Sequence, residues 1–164
     1  MKKKLAIITT TEITITSFLI DYINKLSSDY DLTIILNVNE PESFSKLFKS
    51  KDIKIINIKI SRAINYINDI KSLLTLIKIF YKTKFQVIFS ITPKAGFLSM
   101  LAGFFCRVNY RLHYFTGQVW VTRTGFQRFF LRNVDRLMGF LATHVLTDSK
   151  SQKKFLEDEN IIKK

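Results

Sequence analysis

The chain has 164 residues, is 47% hydrophobic and carries a net charge of +13. That length suits one domain able to bury roughly 70% of its unfolded surface, and the apolar content excludes a disordered chain. A single cysteine, Cys106, excludes an internal disulfide, and the positive charge points to an anionic partner: nucleic acid, a membrane surface or a phosphate-bearing substrate.

The opening MKKKLAIITTTEI begins like a secretory leader. Its apolar run ends at three Thr and a Glu, too early for one. Leu5 to Ile8 instead reads as a buried strand. Ile15, Phe18, Leu19, Tyr22, Ile23 and Leu26 follow at i, i+3, i+4, i+7, i+8 and i+11, one face of a helix. Leu32 to Leu36 reads as a strand, 37–41 as a loop, Pro41 to Phe48 as a short helix and Ile53 to Ile58 as a strand. Ile64, Ile67, Ile70, Leu73, Leu74, Ile77 and Phe80 or Tyr81 mark a long amphipathic helix ending near Lys82.

The next stretch, 87–118, is VIFSITPKAGFLSMLAGFFCRVNYRLHYFTGQ. Val87 to Ile91 is a strand stopped by Thr92-Pro93, with Thr92 as helix cap and Pro93 at the first helical position. An apolar helix follows, in which Cys106 is a small core residue. Its apolar run from Ala95 to Cys106 is too short to span a bilayer. Tyr110 to Phe115 is a further strand, ending in the polar turn Thr116-Gly117-Gln118. Gly125 to Thr143 reads as a helix and His144 to Thr147 as a strand. Ser149 and Gln152 form a capping-box pattern for a last helix from Lys150 to about Glu157.

Strands alternate with helices throughout. The expected fold is α/β: a Rossmann-like, doubly wound parallel sheet of about six strands. Ligands of such sheets bind beyond the carboxyl ends of the strands, where Ser90, Thr92, Lys94, Thr116, Gly117 and Gln118 fall. Ser90, Thr92 and Asp148-Ser149 suit caps and turns equally well. Trp120 suits an interfacial anchor, a sugar platform or plain packing.

The first strand runs into Thr9-Thr10-Thr11-Glu12 and not into G-x-G-x-x-G, and no G-x-x-x-x-G-K-[ST] occurs. Dinucleotide and P-loop chemistry are therefore not expected. His113 and His144 lack partners at metal-ligand spacing and read as structural. No metal and no cofactor are implied. There is no G-x-S-x-G elbow.

The lysines match a chain dense in Lys, Ile and Asn, so composition accounts for them as well as function does. The arginines are different. Six of seven lie at 107, 111, 123, 128, 132 and 136, in a window without Lys. Arg128, Arg132 and Arg136 repeat every four residues beside Phe126, Phe129 and Phe130. That pattern fits either a helix on an anionic membrane or a solvated basic face over core Phe residues. A nucleic-acid groove is disfavoured, because the Phe residues fall on helix faces and not on platforms.

Three segments carry a family resemblance: Ser90-Ile91-Thr92-Pro93-Lys94-Ala95-Gly96, then His113-Tyr114-Phe115-Thr116-Gly117-Gln118-Val119-Trp120, and Ala142-Thr143-His144-Val145-Leu146-Thr147-Asp148-Ser149 with Gln152 and Phe155. Over essentially its whole length the chain resembles the N-terminal, acceptor-side domain of family 4 retaining glycosyltransferases of GT-B fold. The likeness is strongest with the branch serving capsule, O-antigen and glycan-lipid assembly.

The resemblance implies an acceptor domain over 1–164, with the donor-binding domain and its E-x7-E pair outside the sequence. It implies sugar transfer from a nucleotide-sugar to an undecaprenyl-diphosphate-linked glycan at the inner face of the cytoplasmic membrane. The chain would be peripheral there and inactive alone. Acceptor contacts would come from Ser90, Thr92, Lys94, Thr116, Gly117, Gln118 and Arg123. Membrane or anion contacts would come from Arg128, Arg132, Arg136 and Phe129. A non-catalytic, membrane-anchoring subunit paired with a separate donor-domain protein is the alternative. Many family members carry His where this chain has Thr116, so a general base there is not expected.

Overall fold

In the computed structural model of the protein, residues 2–61, 63 and 65–163 are described. Ile64, expected on the long helix, lies outside them. Six strands form one parallel sheet: β1 (Lys3–Ile8), β2 (Tyr30–Leu36), β3 (Lys54–Asn57), β4 (Val87–Ile91), β5 (Tyr110–Phe115) and β6 (His144–Thr147). Their spatial order is β3-β2-β1-β4-β5-β6, every neighbouring pair parallel. The winding direction reverses between β1 and β4, which opens a crevice at their carboxyl ends.

The pleat divides the sheet residues between two cores. Leu5, Ile7, Ile34 and Leu36 pack under α1 (Glu12–Phe18), α2 (Ile20–Asp29) and α3 (Pro41–Ser45). Ala6, Ile8, Ile35 and Ile88 pack on the other side, under α4 (Tyr66–Thr83) and α5 (Pro93–Phe105). A third cluster joins Phe115 and Trp120 to α6 (Gly125–Leu141) and α7 (Lys150–Asp158). On the α1–α3 side, cover thins toward β6. Phe89, Leu112 and Tyr114 are half-buried and Leu146 is exposed.

Capping explains several boundaries. Asn65 accepts from the Asn68 amide at 3.1 Å, while Asp69 accepts from the Asn65 amide at 3.2 Å, so α4 begins with a reciprocal box. Ser149 accepts from the Gln152 amide at 3.1 Å, and Gln152 reaches back to the Asp148 amide at 2.7 Å. The expected box at α7 thus forms one residue wider.

Three helices depart from expectation; α3 ends at Ser45 and not at Phe48, and the other two differ more. The first helix of the chain is split at Leu19, whose φ of −122° lies outside the helical range. The run Ile13-Thr14-Ile15-Thr16 is β-branched throughout, which weakens helix there. Ile15 and Ile23 are buried, but Phe18 and Tyr22 are exposed. On α4 the stripe is rotated. Ser72, Leu76 and Phe80 face the core, with Leu73 and Ile77 at its margin. Ile67, Ile70 and Leu74 face outward.

This rotation is measurable. Leu76→Ala should cost about 2–5 kcal/mol in urea unfolding. Leu74→Ala, two residues away on the opposite side, should stay within about 0.5 kcal/mol of the parent. Equal losses would contradict the observed facing of α4.

Candidate functional site

The register brings the ends of β1, β4 and β5 side by side: Ile8 pairs with Ser90, and Ser90 with His113. The residues that follow therefore gather at one mouth. Thr9 and Thr10 leave β1, Thr92 leaves β4, and Thr116 to Gln118 leave β5. Four polar atoms here are buried and have no hydrogen-bond partner among the described residues: the hydroxyls of Thr9, Thr10 and Thr92, and Nε2 of Gln118. Buried polar groups are normally paired, so such a group of unpaired ones needs an explanation.

Thr92 is also strained. Its φ is +71° with ψ 140°, and its side chain makes no capping bond. The expected hydroxyl cap is thus replaced by a different arrangement. Its carbonyl accepts from the Gly96 amide at 2.8 Å, and Pro93 begins α5 as expected. A β-branched residue in that region costs of order 1–3 kcal/mol, and such strain collects at functional sites.

Ser90 does not reach the mouth. It is fully buried, and its hydroxyl lies 2.8 Å from His113 Nδ1 and 3.4 Å from the Leu112 carbonyl, to which it can donate. Burial lowers the His113 pKa to about 4, so the ring is neutral at physiological pH. It fills the space beside Gly96, where any Cβ would collide with it. Ser90 and His113 therefore lock β4, β5 and α5 together beneath the mouth.

Lys94 lies in the first turn of α5. Its ammonium is 2.8 Å from Asp69 on α4, both side chains are largely buried, and it also bonds the Ala63 carbonyl. Thr116 and Gly117 are exposed where the chain leaves β5, and Arg123 is exposed just past a short turn over Val119–Thr122. Gly117, in the polar turn after β5, is not in the left-handed region. Gly125, with φ +56°, is where the backbone requires a glycine.

The arginine stripe of α6 is turned toward α7 and Trp120. The Arg128 and Arg132 guanidinium carbons lie 5.4 and 5.9 Å from the Trp120 ring. Arg132 pairs with Glu159 at 2.5 Å, and both Arg132 and Arg136 donate to the Glu159 carbonyl just beyond α7. Cations there complement the helix dipole. Phe129 and Phe126 stand exposed on another side of α6.

Trp120 is neither an anchor nor a platform. It is buried, stacks on Phe155 and donates to Asp135 Oδ2 at 2.7 Å. Burial raises the Asp135 pKa to about 6 against the opposing pull of that hydrogen bond. Across the sheet, Tyr114 donates to Asp148, and this bond raises the phenol's pKa.

Sequence reasoning missed Thr9 and Thr10. The available signal was a polar, β-branched pair ending the first apolar strand, which served only to exclude a glycine cradle.

A family model described as glycosyl transferase 4-like matches residues 5–116. The chain belongs to that family. It is 32% identical over 129 residues to the capsular polysaccharide biosynthesis glycosyltransferase CapM of Staphylococcus aureus, covering 78% of this chain and 34% of that protein.

Among solved structures it superposes on a UDP-N-acetylglucosamine 2-epimerase of Listeria monocytogenes. The TM-score is 0.68 at 17% identity, over 97% of this chain and 42% of that one. It also matches the sucrose-phosphate synthase of Thermosynechococcus elongatus, with TM-score 0.64 and 12% identity over 99% and 46%. The S. aureus MnaA–UDP structure gives TM-score 0.64 at 20% identity over 98% and 42%. These likenesses establish the fold, a Rossmann-like half of the GT-B architecture. The chain spans 34% of CapM and under half of each of these solved chains.

The two shifted groups oppose each other in pH dependence. The depressed His113 pKa withdraws stability as pH falls from 6.5 to about 4. The raised Asp135 pKa withdraws it as pH rises from 3.8 through about 6. Each shift corresponds to about 3 kcal/mol, so the parent's profile between pH 4 and 6.5 should be shallow. Asp135→Asn keeps an acceptor for Trp120 and removes one arm. That variant should gain stability at pH 8 and then lose about 3 kcal/mol on acidification to pH 4. Chemical unfolding across that range checks both signs.

Proposed function

We propose that this chain is the acceptor-binding half of a retaining glycosyltransferase of bacterial surface-polysaccharide synthesis, in the capsule branch. The complete reaction moves a sugar from a nucleotide-sugar to an undecaprenyl-diphosphate-linked glycan at the inner face of the cytoplasmic membrane. The observation that carries this reading is the unpartnered polar set at the mouth: Thr9, Thr10, Thr92 and Gln118. Membership of the glycosyl transferase 4-like family and the relation to CapM support a sugar-transfer reading of that mouth.

In this reading the buried hydroxyls and the Gln118 amide hold hydroxyls of the acceptor sugar. Thr116 and Gly117, exposed beside Gln118, would line the path of a diphosphate, and exposed Arg123 would meet its charge. Lys94 contributes only by exchanging Asp69 for a phosphate oxygen, beside the amino end of α5. The acceptor oxygen bonds to the anomeric carbon as the bond to the nucleotide's phosphate breaks. A Thr hydroxyl cannot act as general base near neutrality, so the departing phosphate receives the acceptor's proton. The domain contributes positioning and charge stabilisation. A donor domain, in the same polypeptide or another, holds the nucleotide-sugar across the mouth.

Residues 1–164 alone should bind an undecaprenyl-diphosphate-linked saccharide in detergent micelles, bind nucleotide-sugar weakly, and transfer nothing. Thr92→Val and Gln118→Ala should each weaken acceptor binding by about tenfold in calorimetric titration, with unchanged circular dichroism. Tight nucleotide-sugar binding together with indifference to the acceptor would sink the assignment.

A further inference from the structure

We propose that the outward face of α4 is a lipid-contacting surface that seats the domain on an anionic bilayer beside the mouth. The inference rests on the lipid-linked acceptor reading above and deepens it by naming the element that meets the membrane.

α4 carries two stripes on opposite sides. The inner one, Ser72, Leu76 and Phe80, belongs to the core. The outer one has Ile67, Ile70, Leu74 and Tyr81 at 68, 59, 60 and 77% exposure. Exposed Lys71, Lys78 and Lys82 interleave with them at i+4, i+11 and i+15 from Ile67. The helix has one acidic residue, Asp69, and it is turned away into the Lys94 ion pair. The outward face therefore presents apolar side chains and positive charge with no carboxylate among them. Such a face suits the headgroup boundary of an anionic membrane, where apolar side chains enter and lysines meet phosphate.

Other occupants fit less well. A second copy meeting the same face by two-fold symmetry would set lysines against lysines. Water leaves the apolar side chains unexplained. Among the described residues no helix is long and apolar enough to cross a membrane, so contact lies in the interface plane.

The orientation is also suitable. The Asp69–Lys94 bond fastens the first turn of α4 to the first turn of α5 at the mouth. From there α4 extends about 27 Å along the domain. In the same layer α5 exposes Phe104 and Phe105, and α6 exposes Phe126, Phe129 and Phe140.

Co-sedimentation of the purified chain with vesicles tests this, using phosphatidylcholine alone and phosphatidylcholine mixed with phosphatidylglycerol. The chain should pellet with the anionic vesicles, less so at high salt. The triple variant Lys71→Glu/Lys78→Glu/Lys82→Glu should lower partitioning by about tenfold or more. Ile70→Ser/Leu74→Ser should lower it as well, since both positions are exposed and neither belongs to the core. A charge-matched control on α7, Lys150→Glu/Lys153→Glu/Lys154→Glu, should largely retain binding. Thermal unfolding checks that each variant is folded.

Equal loss in both triple variants would reduce the effect to net charge and overturn the proposal. Full retention by the α4 variants would overturn it while leaving membrane association intact. Concentration-dependent dimerisation abolished by the α4 changes would assign the face to a second copy instead. No binding of the parent to either vesicle would overturn the α4 proposal and membrane association together, leaving acceptor binding in detergent as the separate test of the mouth.

Discussion

The structure depends on one constraint: a fully parallel sheet cannot leave its faces in water. Parallel strands are joined by crossovers, and crossovers deposit helices on the faces. Here the chain winds outward from β1 to β3, returns through α4, and winds outward again from β4 to β6. That single return places α1 to α3 on one side and the remaining helices on the other. It also creates the crevice between β1 and β4. The mouth residues are far apart in sequence, yet the reversal delivers Thr9, Thr92 and Gln118 to one place.

The support beneath the mouth is built from groups that bind nothing outside. Ser90 and His113 bond to each other across β4 and β5, and the ring occupies the space that glycine leaves at position 96. A neutral, buried imidazole suits this role because it satisfies the hydroxyl without introducing charge. The lock fixes the point from which Thr92 must turn the chain into α5. The strained Thr92 backbone is held by that rigid surround, as persistent strain requires.

Much of this was legible in the sequence, and the exceptions share a cause. Strand alternation, the Pro93 helix start and the Ser149–Gln152 box are local signals, and they held. Facing was less secure. Ile67, Ile70 and Leu74 have the spacing of a buried stripe, but the same helix carries a second stripe at Leu76 and Phe80. Periodicity measures apolar spacing, not which side meets the sheet. The arginines misled in a related way. Their four-residue repeat marked one helix side correctly, but the sequence could not show that α7 would fold back to present Glu159 and Phe155 to that side. Thr9 and Thr10 were passed over because their significance comes from β4, about eighty residues later, lying beside β1.

The distribution of titratable groups limits what the mouth itself can do. His113 is near but buried and neutral. Tyr114 spends its hydroxyl on Asp148, and Asp69 and Lys94 satisfy each other. The unpaired side-chain groups at the mouth are the hydroxyls of Thr9, Thr10 and Thr92 and the Gln118 amide. These groups can bind and orient polyols and phosphates, but none is suited to accept a proton near neutrality. On the proposed reading, charge and a proton acceptor come from whatever binds opposite, and this domain supplies geometry. Of the six buried side-chain atoms without a partner among the described residues, four, those of Thr9, Thr10, Thr92 and Gln118, lie at the mouth, and the other two are Nε of Arg132 and Arg136 on α6.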